Sequence, residues 1–254
     1  MRNVMQAIQE HYQELLRQGI APESILGVFC YGSQNYNFHD EYSDVDTKAI
    51  VIPTIAELCF KQPISREIHF ENGEHCEVKD IREIVKMFCK QNLNFLEILF
   101  TPYHYINPDY KMFWDVYFTK RNERIAHYSQ KQTIMSITGQ AIHTLKQNPT
   151  NGKKYADGLR MFNFLTEYLR GRSYAEAMVV PGGAWREHVL CYKRGQLQPI
   201  EEESAILREK FSALREEWSN KEDVVDDDIE AFMNQGILHL IAVRNNLSPH
   251  LLFK

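Results

Sequence analysis

Two short apolar runs and the polar segment between them constrain this chain more than any other feature. Residues 25–31 form a short, apolar and partly β-branched run, which is typical of a buried strand, and Gly32 and Ser33 end it. After a ten-residue polar segment, a second and strongly β-branched run covers residues 44–52. The pattern predicts two buried strands that are joined by a polar loop.

Two aspartates, Asp44 and Asp46, stand at the start of the second run. Residues i and i+2 of a strand face the same side, so we expect their carboxylates to point together. Such a pair can converge on two metal ions ~3.5–4 Å apart, the spacing of two-metal phosphoryl-transfer sites. Gly32 would let the backbone approach a triphosphate closely, and Ser33 offers a hydroxyl and an amide to the phosphates. An isolated Asp-x-Asp is more often a solvated pair at a strand edge, and its combination with Gly-Ser is what indicates chemistry.

The composition describes a soluble globular protein of one large or two small domains. The chain has 254 residues, is 44% hydrophobic and carries a formal net charge of −5. No apolar run approaches the ~18 residues that a membrane helix needs, and we expect neither a signal peptide nor a membrane partner, hence a cytoplasmic protein. The five cysteines include no Cys-x-x-Cys pair, which predicts buried free thiols.

Charge is distributed unevenly along the chain. Residues 111–172 contain 11 Lys and Arg against 4 Asp and Glu, whereas residues 201–230 contain 12 Asp and Glu against 4 Lys and Arg. The basic block could meet phosphates. The alternative is that both blocks form solvated helix faces that pair with one another.

The remaining pattern predicts an α/β part followed by a helical part. Before residue 108 we predict a first helix ended by Gly19, a helix over 54–60, a hairpin of strands 64–70 and 74–79, and a helix over 81–88. After it, the predicted helices cover 110–118, 125–145, 155–169, 201–218 and 229–244. This change of character predicts domains at 1–108 and 109–254.

Residues 31–33 (Tyr-Gly-Ser) and 43–46 (Ser-Asp-Val-Asp) together resemble the signature of the DNA polymerase beta-like nucleotidyltransferase superfamily. Within it, the chain is most similar to the predicted nucleotidyltransferase family associated with RNA-ligase and repair operons (RlaP-like). Looser similarities to that family lie at 92–100, 153–161 and 192–195. The resemblance implies an α/β (α+β) fold: a mixed sheet that carries a triphosphate site, and a C-terminal helical domain that closes one side of the cleft.

The resemblance also implies a third carboxylate on a neighbouring strand. Glu77, in the middle of the predicted return strand, is our first choice; Glu74 lies nearer the turn, and Asp80 is more economically a helix cap. Asp44, Asp46 and Glu77 are then the implied catalytic residues and the ligands of two Mg²⁺ (or Mn²⁺) ions.

The implied nucleotide-binding residues come from both parts of the chain and are Gly32, Ser33, Ser43, Lys153, Lys154 and Arg160. Lys153 and Arg160 are seven residues apart and would share a helix face, although a solvated basic face is an equally simple interpretation. The chain departs from the family where an arginine and a glycine are expected after Gly-Ser. It has Gln34 and Asn37 there, and Asn tolerates left-handed backbone.

The implied activity is the transfer of a nucleoside monophosphate from a nucleoside triphosphate, with ATP as the expected donor, to a hydroxyl group, with release of pyrophosphate. The acceptor stays open between an RNA 3′ end, a protein and a small molecule such as an aminoglycoside, and the basic block slightly favours nucleic acid. The main alternative is a non-catalytic nucleotide-binding regulatory or antitoxin-like partner protein of the same fold. A phosphatase or nuclease is disfavoured by the Gly-Ser ahead of the aspartates. The oligomeric state is not predicted.

Overall fold

The computed structural model describes residues 2–247, whose centre is a five-stranded mixed sheet. The strands are β1 (Ile25–Tyr31), β2 (Asp46–Val51), β3 (Ser65–His69), β4 (His75–Asp80) and β5 (His104–Ile106). They lie in the order β3-β4-β2-β1-β5. β2 and β4 run parallel, and the other neighbouring pairs are antiparallel. The predicted mixed α and β architecture is therefore confirmed.

The first predicted strand has its predicted bounds, but the second begins two residues late. The β1–β2 ladder ends at the pair Tyr31 and Asp46. Beyond it, the chain turns away at Gly32, whose φ of +84° lies in the left-handed region that glycine adopts readily. Asp44 consequently has no strand partner and precedes β2. The expectation that both aspartates lie on one strand was wrong.

The predicted hairpin is confirmed, and so are the predicted helix cap at Asp80 and the predicted helix end at Gly19. β3 and β4 pair antiparallel around a turn in which Gly73 has a φ of +88°. Asp80 caps the turn of 3₁₀ helix that follows β4, since its side chain accepts a hydrogen bond from the Arg82 amide. Gly19, with a φ of +78°, follows the end of the first helix.

Twelve α-helices surround the sheet within the described residues, and the longest of them follow residue 108. They are α1 (Val4–Arg17), α2 (Ile55–Phe60), α3 (Ile84–Cys89), α4 (Leu93–Leu96), α5 (Pro108–Tyr117), α6 (Asn122–Ala126), α7 (Gln130–Gln147), α8 (Gly152–Leu169), α9 (Tyr174–Met178), α10 (Ala184–Lys193), α11 (Glu201–Ser219) and α12 (Asp227–Arg244). The helix predicted over 125–145 is interrupted, because Ser129 caps a new helix, α7.

Apolar residues form two clusters on opposite faces of the sheet. Ala49 and Val51 belong to the smaller cluster under α1, and Ile50 between them belongs to the larger one, as strand alternation requires. The larger cluster contains residues from both sides of position 108, such as Phe29 and Trp114. The division into two domains stays a prediction.

Two further sequence predictions can be compared with the described residues. Among residues 2–247, none of the helices is long and apolar enough to cross a membrane. All five cysteines have free thiols, but only Cys30 and Cys76 are buried; Cys59 is exposed.

Candidate functional site

A cleft of about 340 Å³ lies between the ends of β1 and β2 on one side and the helices α7, α8 and α10 on the other. Its lining is mostly polar and comprises Tyr31, Gly32, Ser33, Tyr36, Phe38, Asp44, Asp46, His75, Asn94, Gln140, Thr144, Lys153, Lys154, Asp157, Arg160, Met161 and Lys193. Asp44 and Asp46 lie on the sheet side of the cleft, whereas its lysines and Arg160 lie on the helices, where Asp157 adds one carboxylate. We call these two sides the acidic wall and the basic wall.

The acidic wall consists of Asp44, Asp46 and His75. Oδ1 of Asp46 accepts a hydrogen bond from the His75 amide at 3.1 Å and lies 2.7 Å from His75 Nδ1. This contact with Asp46 raises the pKa of His75 above its ordinary value. Asp44 is exposed, and within residues 2–247 its carboxylate has no hydrogen-bond or ion-pair partner. The wall therefore presents one anchored and one unpaired carboxylate.

The Gly-Ser turn continues as a tight loop, and the Gly32 amide at its start is hydrogen-bonded within the protein. The Gly32 N–H donates to Oε2 of Glu97 at 2.7 Å, so this amide faces a side chain instead of a ligand. The Ser33 hydroxyl makes no hydrogen bond to the described part of the chain. Asn37 has a φ of +56°, in the left-handed region that asparagine tolerates.

The basic wall begins with Lys153 and Lys154, in the first turn of α8. Cations are unfavourable there, because the amino end of a helix carries partial positive charge. Neither ammonium group has a hydrogen-bond or ion-pair partner among residues 2–247. This concentration of uncompensated positive charge at the cleft favours an anionic ligand.

Arg160 lies deeper in the same wall. It is only 5% exposed, and its guanidinium lies 4.0 Å from the centroid of the Tyr36 ring. Its buried Nε and Nη1 atoms have no hydrogen-bond partner among the described residues, and the nearest carboxylate oxygen, on Asp157, is 3.9 Å from Nε. Buried polar groups are almost always hydrogen-bonded. Arg160 therefore has donors available for a ligand.

Lys193 completes the basic wall and was not among the predicted site residues. Its Nζ donates to the backbone oxygen of Phe38 at 2.8 Å and to Ser43 Oγ at 3.0 Å. Burial lowers the pKa of Lys193, and the negative charges of Asp40 and Asp157 oppose this shift. Ser43 does not line the cleft directly but is held at its edge by this lysine.

Glu77 does not line the cleft. In the parallel register it pairs with Lys48, whose Nζ lies 2.8 Å from Glu77 Oε1, and the same oxygen accepts the Tyr31 hydroxyl at 2.9 Å. His75, which lies two residues earlier on β4, is the residue beside Asp46. The geometry thus gives Glu77 a place behind the acidic wall, and its role as a metal ligand stays a prediction.

The two other candidates for the third carboxylate also point elsewhere. Glu74 accepts hydrogen bonds from Arg2 and lies 3.3 Å from His11, on the α1 side of the sheet. Asp80 is bound by the amide and guanidinium of Arg82. Neither carboxylate reaches the cleft.

Most of the predicted site residues meet in one cleft although they are distant in sequence. The residues brought together are Asp44, Asp46, Gly32, Ser33, Lys153, Lys154 and Arg160. His75 was missed because nothing in the sequence reveals the register of the parallel strands β2 and β4. For Lys193, the only signal was its position in the basic turn 192–195, to which no role was assigned.

The donor set of the cleft fits Mg²⁺ only together with phosphate oxygens. Within residues 2–247, no group of three His, Cys, Asp or Glu side chains is arranged to hold a metal ion. Mg²⁺, however, is commonly held by one or two carboxylates, with substrate phosphates and water completing its shell. Asp44 and Asp46 would supply those carboxylates.

Comparison of the chain with protein-family models and with curated proteins found no match.

Proposed function

We propose that this protein is a metal-dependent nucleotidyltransferase of the polymerase-beta-like fold. It would transfer a nucleoside monophosphate from a nucleoside triphosphate, with ATP as the expected donor, to a hydroxyl acceptor. The observation that carries the proposal is that Asp44 and Asp46 share one cleft with Arg160, whose buried Nε and Nη1 atoms make no hydrogen bond to the described residues. Carboxylates opposite free cationic donors suit a triphosphate that is bound together with Mg²⁺.

The side chains of the cleft have separable roles in this reaction. Mg²⁺, when bound, would neutralise phosphate charge in the transition state. Asp44 and Asp46 would hold it, with His75 orienting one Asp46 oxygen. Lys153 and Arg160 would bind phosphate oxygens, which positions the α-phosphorus for in-line attack.

The chemical step requires the acceptor hydroxyl to be placed beside the acidic wall. Its oxygen bonds to the α-phosphorus, the bond from that phosphorus to the bridging oxygen of the β-phosphate breaks, and pyrophosphate leaves. The hydroxyl proton passes to a carboxylate of the acidic wall. Participation of Glu77 in this transfer stays a prediction, since its carboxylate contacts Tyr31 and Lys48 behind the wall.

Among acceptors, an RNA 3′ end fits best with the excess of basic residues along 111–172. That block includes the two lysines that open α8 at the cleft. A protein or small-molecule hydroxyl remains an outcome of the experiment below.

One observation favours a second candidate, a nucleotide-binding regulatory protein without transferase activity. None of the three candidates for the third carboxylate lines the cleft, and His75 stands beside Asp46 instead. A site in which the sheet side supplies only Asp44 and Asp46 can bind a metal–nucleotide complex and still lack a residue that the transfer step needs.

A labelling experiment separates the two candidates. The protein is incubated with Mg²⁺, α-labelled nucleotides and separate pools of RNA, protein and small molecules. Asp44→Ala/Asp46→Ala should lose label transfer, whereas Asp227→Ala/Asp228→Ala, which removes two exposed aspartates at the start of α12, should keep it. Nucleotide binding without transfer to any pool would favour the regulatory protein, and absence of both would contradict the two candidates together.

A further inference from the structure

We propose that Glu97 is a positioning residue of the cleft. It fixes the loop 32–36 and, through Tyr36, holds the guanidinium of Arg160 as a preformed anion-binding group. The proposal deepens the proposed function, on which it rests only in taking the anion to be the phosphates of a nucleotide.

Three donors from the loop converge on the carboxylate of Glu97. Oε2 accepts the Gly32 N–H at 2.7 Å and Nδ2 of Asn35 at 3.1 Å, and Oε1 accepts the Tyr36 hydroxyl at 2.5 Å. Glu97 is fully buried in an otherwise apolar segment that follows α4. A carboxylate in such a place is costly unless it is hydrogen-bonded. The donors offset that cost and, in return, tie the loop to the core.

Asn35 extends the same network to the end of β1. Its Nδ2 also donates to the backbone oxygen of Cys30 at 2.9 Å, and its Oδ1 accepts the Thr101 hydroxyl at 2.7 Å. The loop is thereby held from three directions, by Glu97, by β1 and by the segment that precedes β5. Such a network determines one loop conformation when all its members are satisfied.

Tyr36 connects Glu97 to the basic wall. Its hydroxyl is held by Glu97, and its ring lies under the Arg160 guanidinium at 4.0 Å from centroid to carbon. A cation on an aromatic face is attracted by the ring and keeps its N–H edge free. The buried Nε and Nη1 atoms of Arg160 make no hydrogen bond to the described residues, and the Asp157 carboxylate lies 3.9 Å from Nε. The stack therefore orients Arg160 without using its donors.

The arrangement predicts that Glu97 acts on anion affinity more than on the acidic wall. The carboxylates of Asp44 and Asp46 make no hydrogen bond to Glu97 or Tyr36 within residues 2–247. The loop does contact the wall through Gln34 Nε2, which donates to the backbone oxygen of Asp44 at 3.4 Å. Loss of the Glu97 carboxylate would release Tyr36 and the loop, so Arg160 would have to be reordered whenever a phosphate binds. Preorganisation of this kind lowers the cost of binding.

The test measures binding of inorganic tripolyphosphate, and of ATP with Mg²⁺, by titration calorimetry. Glu97→Gln should weaken tripolyphosphate binding by about tenfold or more, because an amide cannot accept from all three donors. Tyr36→Phe keeps the ring and removes only the hydroxyl, so it should weaken binding less. Thr133→Val is the matched control, since it removes a buried hydrogen bond to Gln91, away from the cleft, and should leave affinity unchanged.

A double-mutant cycle distinguishes positioning from a general loss of stability. If Glu97 acts through Arg160, Glu97→Gln should cost much less affinity in the Arg160→Met background than in the wild type. The proposal would be overturned if the fold-losses of affinity in the two single variants simply multiply in the double variant. It would also be overturned if Glu97→Gln binds tripolyphosphate like the wild type. If Glu97→Gln does not fold, Tyr36→Phe takes its place in the cycle. Normal tripolyphosphate binding with no label transfer would contradict only the transferase, whereas a wild type that binds no tripolyphosphate overturns this inference.

Discussion

At the residue scale, the ion pair of Lys48 and Glu77 lies directly behind the acidic wall. Lys48 is 1% exposed, and its Nζ lies 2.8 Å from Glu77 and 3.6 Å from the centroid of the Tyr31 ring. Burial lowers the pKa of Lys48, while the charge of Glu77 opposes that shift. Burial also disfavours ionised Glu77, but Lys48 and the Tyr31 hydroxyl bring its pKa below the ordinary value. Each group therefore stabilises the charged form of the other.

Glu77→Gln should lower the free energy of unfolding by about 3 kcal/mol, because it leaves a buried ammonium without a counter-ion. Lys48→Met/Glu77→Gln should recover most of that loss, which urea unfolding of the two variants and the wild type measures. An unchanged stability of Glu77→Gln, together with a loss of Mg²⁺ binding in the presence of nucleotide, would instead support the predicted metal-ligand role.

His11 makes the stability of the α1 side of the sheet depend on pH. It is fully buried, with Nδ1 2.8 Å from the Thr47 hydroxyl, Nε2 3.3 Å from Glu74, and its ring stacked on Phe70. Burial lowers the pKa of His11, against the opposing effect of Glu74. Since the unfolded chain then binds a proton more readily, stability is complete above the unfolded pKa of about 6.5 and falls as the pH drops below it.

Between pH 7.5 and pH 5.5, the wild type should lose about 1 kcal/mol more unfolding free energy than His11→Gln does. The measurement is a series of urea titrations across that range. His143→Gln, which changes an exposed histidine of α7, should follow the wild type. Parallel pH profiles for the wild type and His11→Gln would show that His11 has no such role.

At the scale of elements, the start of α8 approaches the end of α10 closely. A Cβ at Gly152 would lie 2.3 Å from the backbone oxygen of Tyr192 and 3.1 Å from that of Leu197. Only glycine allows this approach, which brings Lys153 and Lys193 to the same cleft. The packing of the two helices therefore determines how far apart Lys153 and Lys193 lie in the basic wall.

Gly152→Ala should destabilise the protein by about 1–3 kcal/mol, since backbone atoms must move to relieve the clash. It should also weaken nucleotide binding, because Lys153 and Lys193 shift with their helices. Gly182→Ala is the control, because a Cβ at that position would meet no atom within 4 Å. Thermal unfolding and ATP titrations compare the two, and equal behaviour would contradict the role given to Gly152.

The elements also show how far sequence alone could predict this structure. β1 was predicted with its observed bounds, because a continuous apolar run that ends at Gly-Ser has one simple interpretation. β5 has only three residues, His104–Ile106, which is too short for a period to be recognised, and it was missed. α10 was missed as well, because the break at 181–183 directly before it was taken to interrupt the helices.

The candidate site was predictable to the extent that its residues share a local pattern. Asp44 and Asp46 were predicted from the motif, and Arg160 from the resemblance of the segment 153–161. The contact of Arg160 with Tyr36 and the place of His75 beside Asp46 depend on tertiary packing and strand register, which no local pattern contains. Glu97 left two signals in the sequence: it is the single acid within the mostly apolar run 93–99, and it lies in the segment 92–100 that carries one of the looser resemblances.

At the scale of the whole molecule, the sheet and the helices that follow residue 108 share the larger of the two apolar clusters. The ring of Phe29 in β1 lies 5.2 Å from Trp114 of α5, and Phe88 of α3 lies 6.1 Å from Phe118. These four aromatic side chains are each at most 1% exposed, and the predicted domain boundary at 108 separates them in sequence. Each part would expose a large apolar face if the other were removed.

We therefore expect the chain to unfold as one cooperative unit. In urea, tryptophan fluorescence, which reports on Trp114, Trp185 and Trp218 in the helical part, should follow the same transition as far-ultraviolet circular dichroism. The fragment 1–108 should lack a cooperative transition, because Phe29 and Phe88 lose the partners that cover them. Two separated transitions in the full chain, or a sharp transition of the fragment, would show instead that the predicted domains are independently stable and that the cleft lies between two folding units.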